Sequence, residues 1–498
     1  MTQSIDMNLK LHILNNINLC SKIHKTYKIN KLNKLLYKNK DLASQGSPEW
    51  LADRIYNIGG SEMATITGDN CFSSIDQLVS QKIGFSHFSG NIATKWGKLF
   101  ENVTKQITEI IFDIDEGIKE TGSLDGAVPN QKYSPDGLAV IKFKCDGIIC
   151  DKNIETEEYC IVLFEFKSPL YSIPSGVIPK YYLPQVKTGL CSIPITDFAL
   201  FISNMFRKCS FDVLGMSKDY DKDFHSRDSK SKSNIKSAKK DTNPLAFGMI
   251  LFYQTKNQNI KFYEKYKHLI TYAEYNYDSD NSSESSDEQS NVSSKNKSEN
   301  IFNLMNETMN ESITKPKLNY AENDVLYKYI NESYNNTKTK IKDFGKCYYR
   351  DFNDILQLYE DGLLSVEYCK PHIFEEYNKN DFLSAQGKTC GSNEYNDVIN
   401  KYSNRINKKV SDNGDPLIGY LPWKLFKSDI IYEARDSGYL KQYESKIKDT
   451  VEIIQKINNA NSHEDKIELF KYYYPKSKVL KTAGLDNDHI MEFLPYNL

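Results

Sequence analysis

The chain has 498 residues, enough for one large domain and a second region, since single cores stop growing near roughly 250–300 residues. Its 64 Lys and Arg against 66 Asp and Glu leave a net charge of -2. That excludes whole-molecule attraction to a polyanion but not a local basic groove masked by acidic stretches elsewhere. The 10 Cys form no Cys-x-x-Cys pair and the 8 His no His-Glu-x-x-His, so zinc and iron–sulfur sites find no support; no apolar run approaches the roughly 20 residues that span a bilayer.

Residues 1–40 mix Lys and Asn with short apolar stretches such as Leu9–Leu14, which fits a basic helical lead-in or a weakly ordered arm. Residues 49–66 predict a helix, a Gly59-Gly60 turn and a second helix from Ser61. Along Ile92–Phe112 the apolar residues Trp96, Phe100, Val103, Ile107, Ile110 and Ile111 recur at helical spacing, predicting a long core helix. Leu138–Phe143, Asp146–Cys150 and Tyr159–Phe166 are β-type runs, with polar Asp151–Glu158 expected as a hairpin loop. A helix over 178–191 and strands at Asp197–Asn204 and Leu245–Tyr253 follow. Helix, strands, helix, strand is the order of an α/β core with a central mixed sheet.

Polar, Lys- and Ser-rich Ser217–Thr242 predicts a mobile insertion into a core spanning 41–270. The acidic, Ser-rich stretch in 271–315 has too little apolar surface to offset ordering entropy, so it is expected to be a disordered linker. Residues 316–498 are expected to be mostly helical, with Leu421-Pro-Trp-Lys-Leu-Phe426 packing a helical layer and Leu440–Ile457 a long helix. Trp50 and Trp96 are expected as core anchors, and the cysteines as reduced, mostly buried thiols of a reducing compartment. The opening Met1-Thr-Gln-Ser-Ile-Asp lacks a secretory pattern, so an intracellular protein is expected.

Metal-assisted phosphodiester hydrolysis needs clustered carboxylates and a group that positions water, and three segments offer them. Ser134-Pro-Asp-Gly-Leu138 puts Asp136 in a turn at a strand start. In Phe164-Glu-Phe-Lys-Ser-Pro169, Glu165 and Lys167 stand two apart and so share a strand face. Trp96-Gly-Lys-Leu-Phe-Glu101 sets a carboxylate on the long helix. Taken singly these read as a turn residue, an exposed ion pair and a solvated helix face. Their order and spacing make the signal.

Together these segments resemble the PD-(D/E)xK nucleases, and most closely the lambda exonuclease and YqaJ recombinase group. The likeness takes in Gln45-Gly-Ser-Pro-Glu-Trp-Leu-Ala-Asp-Arg54, Gly59-Gly-Ser-Glu62 and Tyr182-Leu-Pro-Gln185, over roughly residues 44–205. It implies a restriction-endonuclease-like core and one or two Mg²⁺ (or Mn²⁺) ions on Asp136, Glu165, Glu101 and the Phe166 carbonyl. By the same likeness Lys167 would handle the attacking water, Gln185 would contact the site or the DNA, and Arg54, Ser61 and Ser134 would grip a 5′-phosphate. The implied activity is 5′→3′ digestion of double-stranded DNA ends, with a single-strand annealing recombinase as a candidate partner, no membrane, and no expectation about oligomeric state. An endonuclease or nickase, and a DNA-binding or virion protein keeping the fold without catalysis, are the rival readings. The departures are a longer Asp136–Glu165 gap, Lys187 where a second Gln often stands, and the insertions and C-terminal third. The bias to Asn, Lys, Ile and Tyr suggests an AT-rich genome; with this family it points to a large DNA virus and to the host cytoplasm or the virion.

Overall fold

A computed structural model describes residues 2–43, 46–86, 90–149, 152–211, 214, 244–258, 260–262, 341–373, 393–411, 415 and 417–482. The predicted insertion at 217–242 and linker at 271–315 lie outside them. Helix α1 (Thr2–Lys38) leads into α2 (Pro48–Asp53), β1 (Ile58–Gly59), α3 (Met63–Thr67) and α4 (Ile75–Lys82). Then come α5 (Ile92–Phe112), β2 (Leu124–Asp125), β3 (Gln131–Tyr133), β4 (Gly137–Ile149), β5 (Lys152–Lys167), α6 (Leu183–Ser192), β6 (Phe198–Lys208) and β7 (Ala246–Tyr253). The C-terminal region adds short β8 (Lys342–Asp343), β9 (Ser365–Tyr368) and β10 (His372–Ile373), long β11 (Leu417–Ala434), and helices that include Tyr349–Glu360, Asn393–Ser411, Glu444–Asn458 and His463–Tyr473.

The main sheet runs β10-β7-β11-β6-β5-β4, with β8 also on β11 and β9 on β7. Within it β5 and β6 are parallel while β4/β5, β6/β11 and β7/β11 are antiparallel, so the sheet is mixed as expected. A small second sheet, β1-β3-β2, pairs β1 with β3 in parallel. Inner strand β5, next to the edge strand β4, is apolar on both faces, as a strand covered on both sides must be. Ile161 and Leu163 meet α6 through Val186 and Leu190, while Val162, Phe164 and Phe166 pack with Ile118, Ala139 and Leu200. Helix α5 matches its predicted span. Asn91 caps it, accepting from the N–H groups of Ala93 (2.9 Å) and Thr94 (3.1 Å). Its apolar stripe of Trp96, Leu99, Phe100 and Val103 is fully buried against β6, β7 and β11.

Three expectations are corrected. Most of the expected loop Asp151–Glu158 is strand instead: Lys152–Glu158 belong to β5, and β4 and β5 stay in register out to Ile149 opposite Lys152, because backbone pairing does not depend on side-chain type. Leu421–Phe426 does not pack a helical layer, because β11 enters the sheet between β6 and β7. The segment Leu421–Phe426 lies in that strand, with Trp423 fully buried, 5.2 Å from Phe206 and 6.2 Å from Phe100. Thirdly, of the described cysteines Cys191, Cys209 and Cys369 are buried but Cys20 and Cys71 are exposed, all as free thiols.

Helix α1 lies along the β4/β5 hairpin. Lys28 donates to Asp197 at 2.6 Å and 2.7 Å, and Asp197 in turn accepts from the Ile161 N–H at 2.7 Å. At the far end of β11, Arg435 donates to Thr196 Oγ1 (2.8 Å) and to the carbonyls of Leu190, Ile193 and Thr196, clamping the C-terminal end of α6.

If β11 is integral to the core, Trp423→Ala removes an aromatic group that both α5 and β6 enclose. Urea titration should show a loss of about 3–5 kcal/mol. A change under about 1 kcal/mol would mean that this strand is an appendage, since surface substitutions fall in that range.

Candidate active site

Three consecutive segments meet at the C-terminal end of β5. Asp136 directly precedes β4, and its Oδ2 accepts the Phe166 N–H at 2.9 Å, so the turn acid is fixed against the neighbouring strand. Glu165 is wholly buried; Tyr133 donates its hydroxyl to Glu165 Oε2 at 3.1 Å, and Lys167 donates to Oε1. The Lys167 ammonium also reaches Asp136 Oδ2 at 3.9 Å. Strand geometry therefore brings Asp136, Glu165 and Lys167 together.

Glu101 joins them through the field, with no hydrogen bond to them among the described residues. Burial first, and then the Asp136 charge, push its carboxyl up to about 7. The helix that bears it is registered to the strand end by a buried polar contact, Thr104 Oγ1 to Ser168 Oγ at 3.0 Å, with Asn204 Nδ2 donating to Thr104 at 3.3 Å. Glu165 is pushed up to about 8 by burial and by Asp136, against the pull of Lys167. Lys167 is raised because the Glu165 and Asp136 charges outweigh its own burial. Tyr133 is raised by burial and by Glu165, so its hydroxyl stays a donor.

Sequence reasoning missed Tyr133, although it directly precedes Ser134-Pro-Asp-Gly. Its ring fits only because Gly60 and Gly189 lack a Cβ, which would stand 2.4 Å from the ring in each case. Tyr182 opens the Tyr-x-x-Gln element, whose pattern assigns it no role of its own; its ring centroid lies 5.0 Å from the Lys167 ammonium. Gln185 is half-buried on α6 and forms no hydrogen bond to the acidic cluster among the described residues.

The second predicted group also assembles. Pairing of β1 with β3 sets 58–61 beside 131–134. Arg54 donates to Ser61 Oγ at 3.4 Å, its guanidinium sits 4.5 Å from the Trp50 ring centroid, and Trp50 Nε1 donates to Ser134 Oγ at 3.1 Å. Trp50 is thus half-buried at the site and not a core anchor. Two further charges were overlooked here. Glu62 pairs with Arg54 at 3.3 Å and with Lys82 at 3.0 Å, and its Oε2 accepts the Gly59 N–H at 2.7 Å. Burial acts to raise Glu62, but Lys82, Arg54 and that N–H outweigh it and hold the carboxyl below its ordinary value. Lys82 carried no local signal, since its pairing exists only once α4 docks.

No family model matches the sequence. The chain is 30% identical over 227 residues to a protein of African swine fever virus (isolate Tick/Malawi/Lil 20-1/1983), covering 43% of this chain and 62% of that protein. Its counterpart in strain Badajoz 1971 Vero-adapted is 29% identical over the same lengths. This chain is similar to viral proteins. The match spans 62% of these relatives' length. Among solved structures, an alkaline exonuclease (LHK-Exo) from Laribacter hongkongensis overlaps 32% of this chain and 74% of its own at 19% identity and a TM-score of 0.24. The same exonuclease in complex with dAMP overlaps at 18% identity and the same TM-score of 0.24. At that score the overlap carries no argument. Among the described residues no helix is long and apolar enough to cross a membrane.

A carboxyl whose pKa rises on folding stabilises the fold while protonated. That contribution is complete below its ordinary value of 4.5 and is lost as pH climbs through the folded value. In buffer stripped of divalent cations, Glu101 at about 7 and Glu165 at about 8 should therefore lower Tm progressively from pH 5 toward pH 9. Glu165→Gln should flatten that slope. A wild-type Tm that climbs across the interval would show that these acids are not held up.

Proposed function

We propose that the chain is a metal-dependent DNA nuclease acting on double-stranded ends. The observation that supports it best is the convergence of Asp136, Glu165 and Lys167 at one buried strand end. A buried acid wedged between a second carboxylate and a lysine is a poor core element and a suitable hydrolytic centre.

The donor set suits a hard cation. Among the described residues no group of three or more His, Cys, Asp or Glu side chains is arranged to hold an ion. Two carboxylates nevertheless suffice for Mg²⁺, which keeps much of its water shell. Asp136 and Glu165 would hold it, with the Phe166 carbonyl as a further oxygen; burial first, and then the Asp136 charge, raise Glu165, and a cation would offset both. When bound, Mg²⁺ or Mn²⁺ would supply positive charge to the phosphate and acidify a water.

The protein's own groups do the rest. Tyr133 and Lys167 both donate to Glu165 and fix its carboxylate plane. Lys167, released from Glu165, would orient the attacking water and meet charge developing on the phosphate oxygens. Glu101 would accept a proton near neutral pH, which its raised value permits. Arg54, braced by Glu62 and flanked by Ser61 and Ser134, would receive a terminal 5′-phosphate in a fork that suits that anion. On this reading the polarity is 5′→3′, and the exposed strand would serve recombination, repair or replication of viral DNA, with an annealing recombinase as a candidate partner.

End-labelled linear duplex, with and without a 5′-phosphate, tests the proposal. Lys167→Ala should cut the rate by about 10²–10⁴-fold while duplex binding persists, and EDTA should abolish cleavage. Full activity of Lys167→Ala removes Lys167 from the mechanism, and full activity in EDTA defeats metal dependence. Arg54→Ala should raise KM for 5′-phosphorylated ends by about 10–100-fold, the cost of one charged hydrogen-bonding group. The same loss on unphosphorylated ends would rule out phosphate capture. Cleavage of a covalently closed circle would replace an end-dependent enzyme with an endonuclease.

A further inference from the structure

An unbroken run of aromatic rings leads from the acidic cluster to the surface. Tyr182 starts it, 5.0 Å from the Lys167 ammonium. Its ring lies 4.5 Å from that of Tyr181, and Tyr181 meets Phe72 edge-on at 5.2 Å and 81°. Phe72 is 75% exposed. One exposed aromatic residue is ordinary on a protein surface, but Phe72 is held out by a loop built for it. Its N–H donates to Asn70 Oδ1 at 2.9 Å, Asn70 Nδ2 donates to Thr65 Oγ1 at 2.8 Å, and the Asn70 N–H donates to the Ala64 carbonyl at 3.0 Å. Elements distant in sequence, the α3–α4 loop and the start of α6, thus jointly present one stripe. Exposed Lys180 flanks it.

We propose that Tyr182, Tyr181 and Phe72 form a base-stacking strip that holds a single nucleic-acid strand as it passes the site at Lys167. The inference rests on the nuclease reading above and adds how the strand is held. Bases of any sequence offer a π-face to such rings, and a lysine beside them can follow the phosphates. Continuity with Lys167 favours a nucleic-acid strand over an apolar protein segment, which would gain nothing from that charge.

The test is fluorescence anisotropy in EDTA, where hydrolysis plays no part. The full chain is titrated onto labelled oligothymidylate of about 12 nucleotides, within the usual site size, and onto an abasic strand of equal length. Phe72→Ala, a change at an exposed position, should raise Kd for the base-bearing strand about ten-fold, the loss of one stacked base. It should leave the abasic strand unchanged; Phe72→Trp should restore binding and Phe72→Leu should not. Equal Kd values for wild type and Phe72→Ala on oligothymidylate overturn the strip, as does an equal loss on the abasic strand or wild type that binds no single strand. Cleavage of labelled duplex in Mg²⁺ by the same preparations keeps the two readings apart. Base-dependent binding without cleavage removes the nuclease and leaves the strip, whereas cleavage with Phe72→Ala indistinguishable in binding removes the strip alone.

Discussion

Negative charge gathered at the end of a buried strand is the constraint around which this molecule is arranged. Glu165 is wholly buried beside Asp136; burial first, and then that charge, push its carboxyl up to about 8, as they push Glu101 up to about 7. Taking carboxylates out of water is costly unless every oxygen finds a donor. The surroundings supply those donors: the Tyr133 hydroxyl and Lys167 ammonium for Glu165, and the Phe166 N–H for Asp136. Two glycines make way for Tyr133, and Thr104, Ser168 and Asn204 tie α5 to the strand end.

The Arg54 group shares that scaffolding. Tyr133, Ser134 and Asp136 lie within four residues yet serve three partners, namely Glu165, Trp50 and the Phe166 N–H. A shift of this turn would disturb the acidic cluster and the Arg54 group together. The small β1-β3-β2 sheet anchors it, since β3 ends at Tyr133 and β1 runs into the Gly60-Ser61-Glu62 turn.

The C-terminal region takes part in the same core. Strand β11 separates β6 from β7, so the sheet that positions β5 is completed by residues more than two hundred positions downstream. Arg435 then closes on α6, the helix that packs Val186 and Leu190 against Glu165's own face of β5.

Local pattern was enough for the elements whose burial is self-evident. The helical stripe of α5, the apolar run of β5, and the two-residue spacing that puts Glu165 and Lys167 on one face all follow from periods of 3.6 and 2. Pairs and partners were a different matter. Strand β11 was hidden because Pro422 argues against a central strand and its Lys424 and Lys427 break the alternation. Lys82 meets Glu62, the partner of Arg54, only once α4 docks. Sequence alone determined which groups were candidates for chemistry, since residue type and spacing are written in the chain. Tertiary structure decided which of them touch: Tyr133 reaches Glu165, Trp50 reaches Ser134, and Phe72 reaches Tyr181 only because packing brings distant backbone together, and no local period encodes that.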